Sequence, residues 1–168
     1  MKFALVANPN HPQAVEKLEL LLELVGDAEL EEATAQLLGR KGKPLSELQG
    51  ELLVALGGDG TLLYALSQLD VPIFGINTGQ VGFLTEAEFG DTLEADLERL
   101  KAGDYNVEKL QRLDVRINGL SIGQALNEAV IHTARVAKIQ KFRIKIDDQI
   151  ADEFRADGVI VATPTGST

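Results

Sequence analysis

Five consecutive residues, Gly57-Gly58-Asp59-Gly60-Thr61, combine a flexible backbone with a carboxylate and a hydroxyl. An apolar run from Leu52 to Leu56 precedes them, and Leu62, Leu63, Leu66 and Leu69 follow at helical spacing. A buried strand therefore feeds a glycine turn, and the turn feeds a helix. Backbone N–H groups and a helix N-terminus in that arrangement can face a phosphate. A carboxylate is an odd choice for a pure phosphate cradle, because it repels the anion. Asp59 thus points to a further role, either holding a metal ion or accepting the proton of a hydroxyl that attacks a phosphate. The plainer alternative is a strand-to-helix turn in which Asp59 caps the helix.

Four other groups carry chemistry. Gly75-Ile76-Asn77-Thr78-Gly79-Gln80-Val81-Gly82-Phe83-Leu84 is a second glycine-rich stretch leaving a strand end, and it can face the same cleft or be an ordinary loop. Asn127-Glu128 sets an amide beside a carboxylate, suited to an adenine edge and ribose hydroxyls, although read by itself it is a bulge or strand-end polar pair. Arg155-Ala156-Asp157-Gly158 reads by itself as a turn with a structural ion pair. The run from Thr163 to Thr168 offers three threonines, a serine and a glycine, as donors to phosphate or ribose or as a plain Pro-Gly loop. His132 is read as a bland strand-end residue.

These residues must be positioned by two kinds of structure. Phe3 to Ala7 reads as a first buried strand, and Ala14, Val15, Leu18, Leu21, Leu22 and Val25 as a helix ended by Gly26. Leu30, Ala33 and Leu37 give a weaker helix closed by Gly39, and Arg40 to Pro44 a basic solvated loop. The strand into Asp59, its helix and a short strand at Pro72 to Ile76 follow. Asp91 with Glu94 reads as a helix cap, Leu93, Leu97 and Leu100 as the buried stripe and Gly103 as the stop. Strands alternating with helices argue for a Rossmann-like parallel sheet, with ligands at the carboxyl ends of its strands. After Gly103 the pattern changes. Leu113, Val115 and Ile117 alternate with polar residues and run into Asn118-Gly119, a strong hairpin signal. Leu126 to His132, Phe142 to Ile146 and Gly158 to Val161 read as strands, with no helix from Val107 onward. The expected organisation is an α/β domain over 1–105 and the first part of a β-rich domain over 106–168. About four or five strands are too few for two packed β layers, so an incomplete all-β domain, truncated or finished by another chain, is expected.

Composition excludes several classes of function. The chain has 168 residues, 45% hydrophobic and 25% charged, enough for a real core. A net charge of −10 opposes nucleic acid and anionic membranes as partners. No cysteine is present, so disulfides, thiolate metal sites and thiol nucleophiles are excluded. No apolar run has the length of a membrane span, and the first residues lack a signal-peptide pattern. A cytoplasmic location is expected, as is a homo-oligomer (dimer or tetramer), because an unfinished sheet leaves edges open to pairing.

In their order along the chain, Gly57 to Thr61, Asn77-Thr78-Gly79 with Gly82-Phe83-Leu84, Asn127-Glu128, Asp157-Gly158 and Thr163 to Thr168 closely resemble the bacterial NAD kinase family. The resemblance runs from about Leu52 to Thr168. It implies phosphoryl transfer from ATP or polyphosphate to the adenosine 2′-hydroxyl of NAD, giving NADP, with Mg²⁺ or another divalent cation arriving on the triphosphate. It also implies roles residue by residue. Asp59 matches the base that takes the 2′-hydroxyl proton. Gly57, Gly58, Gly60 and Thr61 lie against nucleotide, and Phe83 lies beside the adenine. Asn127 and Glu128 hold hydroxyl and amide groups of NAD, Asp157 is a further NAD-binding carboxylate, and Thr168 opens the next contact segment. Lys138 and Arg155 fall where the family often has basic residues. No resident metal ligands are implied. Tyr64 stands where a basic residue is common, and Ala162 replaces a common serine. On this reading Asp59→Asn is expected to abolish phosphorylation and spare NAD binding. The competing expectations are an inactive nucleotide-binding fragment and a lipid or sugar kinase sharing only the glycine-aspartate core.

Overall fold

The structure is a computed structural model that describes residues 1–79, 82–134 and 138–167. The chain divides into two compact units, Met1–Glu108 and Lys109–Thr168.

In the first unit, five parallel strands form one sheet in the order β2-β1-β3-β4-β5. They are β1 (Phe3–Ala7), β2 (Ala28–Leu30), β3 (Leu52–Leu56), β4 (Ile73–Asn77) and β5 (Ala87–Glu88). The helices are α1 (Ala14–Val25), α2 (Glu32–Leu37), α3 (Asp59–Leu66) and α4 (Leu93–Ala102). Every residue of β1 and β3 is buried, as expected for parallel strands covered on both faces. Alternation along β1 divides the core. Phe3 and Leu5 join Leu18, Leu21 and Leu97 on the side of α1 and α4. Ala4 and Val6 join Leu53, Ala55, Leu62 and Ala65 on the side of α3.

Three local features differ from the sequence reading. β2 and β5 are short strands, of three and two residues, too brief to show period-2 patterning. The cap of α4 is Thr92, without a side-chain capping bond, rather than Asp91. α3 begins at Asp59 itself, with Gly58 as its N-cap, so Asp59 is not a cap.

Glu29 on β2 fastens one edge of this unit. Its Oε1 accepts from Lys2 Nζ at 2.6 Å and Lys43 Nζ at 2.8 Å, and its Oε2 from the Gln49 N–H at 2.8 Å. These donors, the Lys2 ammonium first, hold its carboxyl down at about 2 against an ordinary 4.5. A depressed carboxyl contributes stability above its unfolded value and loses it as pH falls toward the folded one. Glu29→Gln is therefore expected to melt a few degrees below the wild type at pH 6. That gap closes as pH falls from 4.5 toward 2, as thermal melts at several pH values will read. A gap independent of pH would reject the electrostatic account.

The second unit consists of three antiparallel ribbons. β6 (Leu113–Ile117) pairs β7 (Leu120–Ala125), β8 (Glu128–His132) pairs β11 (Gly158–Ala162), and β9 (Gln140–Ile146) pairs β10 (Gln149–Ala156). Among the described residues six strands thus stand where about four or five were expected. β7 and β10 lack a clean apolar alternation and escape a periodicity reading. β8 starts at Glu128, two residues after Leu126. The β6–β7 turn uses Asn118 at φ 51° and Gly119 at φ 81°, the paired positive φ of a tight hairpin turn. Asp147 and Asp148 turn β9 into β10 the same way, at 48° and 64°. Phe142 and Phe154 stack across that ribbon at 6.1 Å. Apolar side chains here are largely open: Leu120 is 74% exposed and Ile160 67%.

Candidate functional site

The strand order reverses at β1. The chain goes from β1 outward to β2 and then crosses to β3 on the other side. Such a switch point opens a crevice outside the carboxyl ends of the two diverging strands, where α/β sheets bind ligands. A pocket of about 390 Å³ lies there, lined by Val6 and Ala7 at the end of β1, Asn8 and Pro9 just after it, and Gly58, Gly60, Thr61 and Tyr64 after β3, together with Glu31 and Ala33. Its size suits a small ligand.

The glycine turn has two faces. On one, Gly58, Gly60 and Thr61 border the pocket at the N-terminus of α3, the positive end of the helix dipole, which favours an anion. Gly57 is held to β4 by its N–H on the Ile76 carbonyl at 2.9 Å. The other face carries the Asp59 carboxylate. Its Oδ2 accepts the Phe83 N–H and its Oδ1 the Leu84 N–H, each at 3.0 Å. A carboxylate offers about four lone-pair positions, so acceptor capacity remains for a hydroxyl. Phe83 itself is 90% exposed, an aromatic ring open to a planar ligand.

The pocket wall contains groups that sequence reading missed. Glu31 is only 5% exposed. Its Oε2 accepts both the N–H and the hydroxyl of Thr34 at 2.9 Å, while Thr34 Oγ1 accepts the Ala7 N–H at 2.8 Å. The end of β1 is thus tied through Thr34 to a carboxylate at the start of α2. Glu31 three residues before Thr34 is a visible capping pattern, but a cap carries no mark of a pocket. Tyr64, 45% exposed, presents an aromatic side chain where the resemblance expected a cation.

The stretch after β4 is fixed at its start. Asn77, buried, accepts the Gly79 N–H on Oδ1 at 2.9 Å. Lys17 of α1 donates to the Thr78 carbonyl at 3.2 Å and stands 5.4 Å from the centre of the Phe89 ring. Gln80 and Val81 lie outside the described residues. Further on, Glu86 accepts the Gly75 N–H at 2.6 Å, and burial pushes its carboxyl up against that bond.

In the second unit, Asn127 and Glu128 enter β8 beside the residues after β11. The Asn127 carbonyl accepts the Thr163 N–H at 2.8 Å, and the Thr163 hydroxyl donates to the Leu126 carbonyl. Gly166 N–H closes back on Thr163 Oγ1 at 3.1 Å. Glu128 pairs with Ala162, whereas Asp157 directly precedes the opposite end of that ribbon, where Gly158 pairs with His132. Arg155 pairs with Lys141 near the same end, and Lys138 lies just ahead of β9. The ribbon thus separates Asn127-Glu128 from the Lys138, Arg155 and Asp157 group. Thr168 lies outside the described residues. Among the described residues no group of three or more His, Asp or Glu side chains converges as metal ligands, and no helix is long and apolar enough to cross a membrane.

Comparison with known proteins matches both parts of the chain. Residues 27–105 match the family model of the ATP-NAD kinase N-terminal domain, and residues 126–168 that of the ATP-NAD kinase C-terminal domain. An NAD kinase of Thermoplasma volcanium is 42% identical over 80% of this chain and 49% of its own length. One of Methanoculleus marisnigri is 39% identical over all of this chain and 64% of its own. The chain thus spans about half to just under two thirds of these curated relatives. Relatives occur in archaea as well as bacteria, so the bacterial restriction is not kept. Among solved structures, an Archaeoglobus fulgidus NAD kinase in complex with ATP aligns with a TM-score of 0.76 at 33% identity, over 99% of this chain and 62% of that one. A yeast NADH kinase complexed with NADH shares the fold, with a TM-score of 0.78 at 22% identity, over all of this chain and 59% of that one. The two family models follow each other in order and together cover most of the sequence, and the chain belongs to the NAD kinase family.

Proposed function

We propose that this chain carries the phosphoryl-transfer centre of an NAD kinase, which converts ATP and NAD to ADP and NADP. The observation that carries this is the two-faced turn: Gly58, Gly60 and Thr61 border the switch-point pocket, and the Asp59 carboxylate holds the backbone of the open Phe83 ring. In this reading the donor triphosphate lies along the amide face, with its nucleoside in the pocket against Asn8, Glu31 and Tyr64. The adenine of NAD lies beside Phe83, and its 2′-hydroxyl meets Asp59. The hydroxyl oxygen forms a bond to the γ-phosphorus, the bond from that phosphorus to the bridging oxygen breaks, ADP leaves, and the hydroxyl proton passes to the Asp59 carboxylate. Asn127, Glu128, Asp157, Lys138, Arg155 and Thr168, in the 106–168 domain, are assigned to binding NAD. A divalent cation would enter with the triphosphate and offset its charge.

The enzyme is placed in the cytoplasm, a reducing compartment that suits a chain without cysteine, and as a homo-oligomer, because the second unit leaves apolar ribbon faces open. Incubation with ATP, Mg²⁺ and NAD, followed by phosphorus NMR, is expected to show a new 2′-phosphomonoester on NAD. Polyphosphate in place of ATP tests the donor. A chain that refuses NAD yet phosphorylates a sugar or lipid hydroxyl would overturn the assignment.

A further inference from the structure

Asp59 reaches Phe83 and Leu84 only because nothing stands at Gly82. A Cβ built there would overlap Asp59 Oδ1 and come within 2.9 Å of its Cγ. The carboxylate occupies the space that any side chain at this position would take, and from it accepts both following amides. Two N–H donors on two oxygens of one planar group fix the two successive peptide planes that flank the Phe83 Cα, which a single bond cannot do. The Phe83 ring, 90% exposed, has little packing of its own to place it.

We propose that Gly82 and Asp59 form a clasp that sets the Phe83 ring relative to the attacking hydroxyl, which makes Gly82 a positioning residue for the NAD acceptor and gives Asp59 a second role beside proton acceptance. The ligand named here rests on the NAD kinase reading, whereas the clasp does not. Any side chain at position 82 pushes the carboxylate off the two amides, so Gly82 acts on the acceptor through Asp59.

Amide hydrogen exchange on the whole chain tests the clasp directly. In Gly82→Ala and in Asp59→Ala, the Phe83 and Leu84 amides are expected to exchange at least about tenfold faster than in the wild type, the change expected from loss of a charge-assisted bond. The Leu53 and Val54 amides serve as the control for the fold and keep their protection. The double variant is expected to exchange like Asp59→Ala alone, since the two residues act as one device. Kinetically, Gly82→Ala is expected to raise the KM for NAD about tenfold and leave that for ATP within about twofold, a split that general loss of structure does not produce. Unchanged exchange at Phe83 and Leu84 in Asp59→Ala, or additive effects in the double variant, would overturn the clasp. If the wild type forms no NADP, the functional reading fails, and the clasp is still decided by the exchange arm alone.

Discussion

Asp59→Ala is expected to lower NAD turnover by about 10²–10⁴-fold, the usual worth of a positioned general base, and also to weaken NAD binding. The second effect follows from its bonds to the Phe83 and Leu84 amides, which alanine cannot make. Asp59→Asn separates the two roles. Its side-chain oxygen still accepts one amide, but its NH₂ group then faces the other N–H, donor against donor. Turnover should fall as far as in the alanine variant, while NAD affinity falls less. The simpler expectation from sequence is that asparagine spares binding altogether, and the titration decides between the two. Single-turnover rates and calorimetric titration with NAD measure the two parts independently. Wild-type turnover in Asp59→Asn would remove Asp59 from the chemistry.

Gly166→Ala is expected to reduce NAD affinity by about tenfold or more and to leave ATP affinity unchanged. A Cβ at Gly166 would overlap the Asn127 carbonyl and come within 2.6 Å of its Cα, so one of the two segments must move. Movement breaks the Asn127 carbonyl's bond from Thr163 and the Gly166 bond to Thr163 Oγ1. Each bond contributes about 0.5–1.5 kcal/mol, and about 1.4 kcal/mol is a tenfold change in affinity. Asn127 and Glu128 are displaced together, because they share the backbone that Thr163 holds. Calorimetry with NAD and, separately, with ATP is the measurement. Equal loss for both nucleotides would point to general unfolding, and no loss for either would detach Asn127 from the NAD site.

Much of this was legible in the residues because the signals were strong and local. The runs at Phe3–Ala7 and Leu52–Leu56 are too apolar to be anything but buried strands, and Asn118-Gly119 announces its hairpin. The order of the glycine-aspartate turn, Asn127-Glu128 and Thr163–Thr168 carries the family. Other features depended on geometry that no local pattern encodes. β2 and β5 are too short to alternate and exist because neighbours offer edges to pair with. Glu31 reads as a helix cap until β1 brings Asn8 and Pro9 against it. The bond from Asp59 to the Phe83 and Leu84 amides joins segments on different elements, which spacing along the chain cannot announce. Thr92 displaces Asp91 as the cap of α4 for want of any side-chain bond to favour either.

The pairing of β1 with β3 also has a consequence for how the chain comes into being. Phe3 waits for Leu52 and Ala7 for Leu56 before the central pair of the sheet exists. During synthesis, α1, β2 and α2 emerge with no completed sheet beneath them, and the entropy of closing that long loop is lost before its contacts form. The residues that close it, Leu52 to Leu56, are followed at once by Gly57 to Thr61. A nascent chain therefore acquires the Gly57–Thr61 turn at nearly the same moment as the strand that completes the β1–β3 pair.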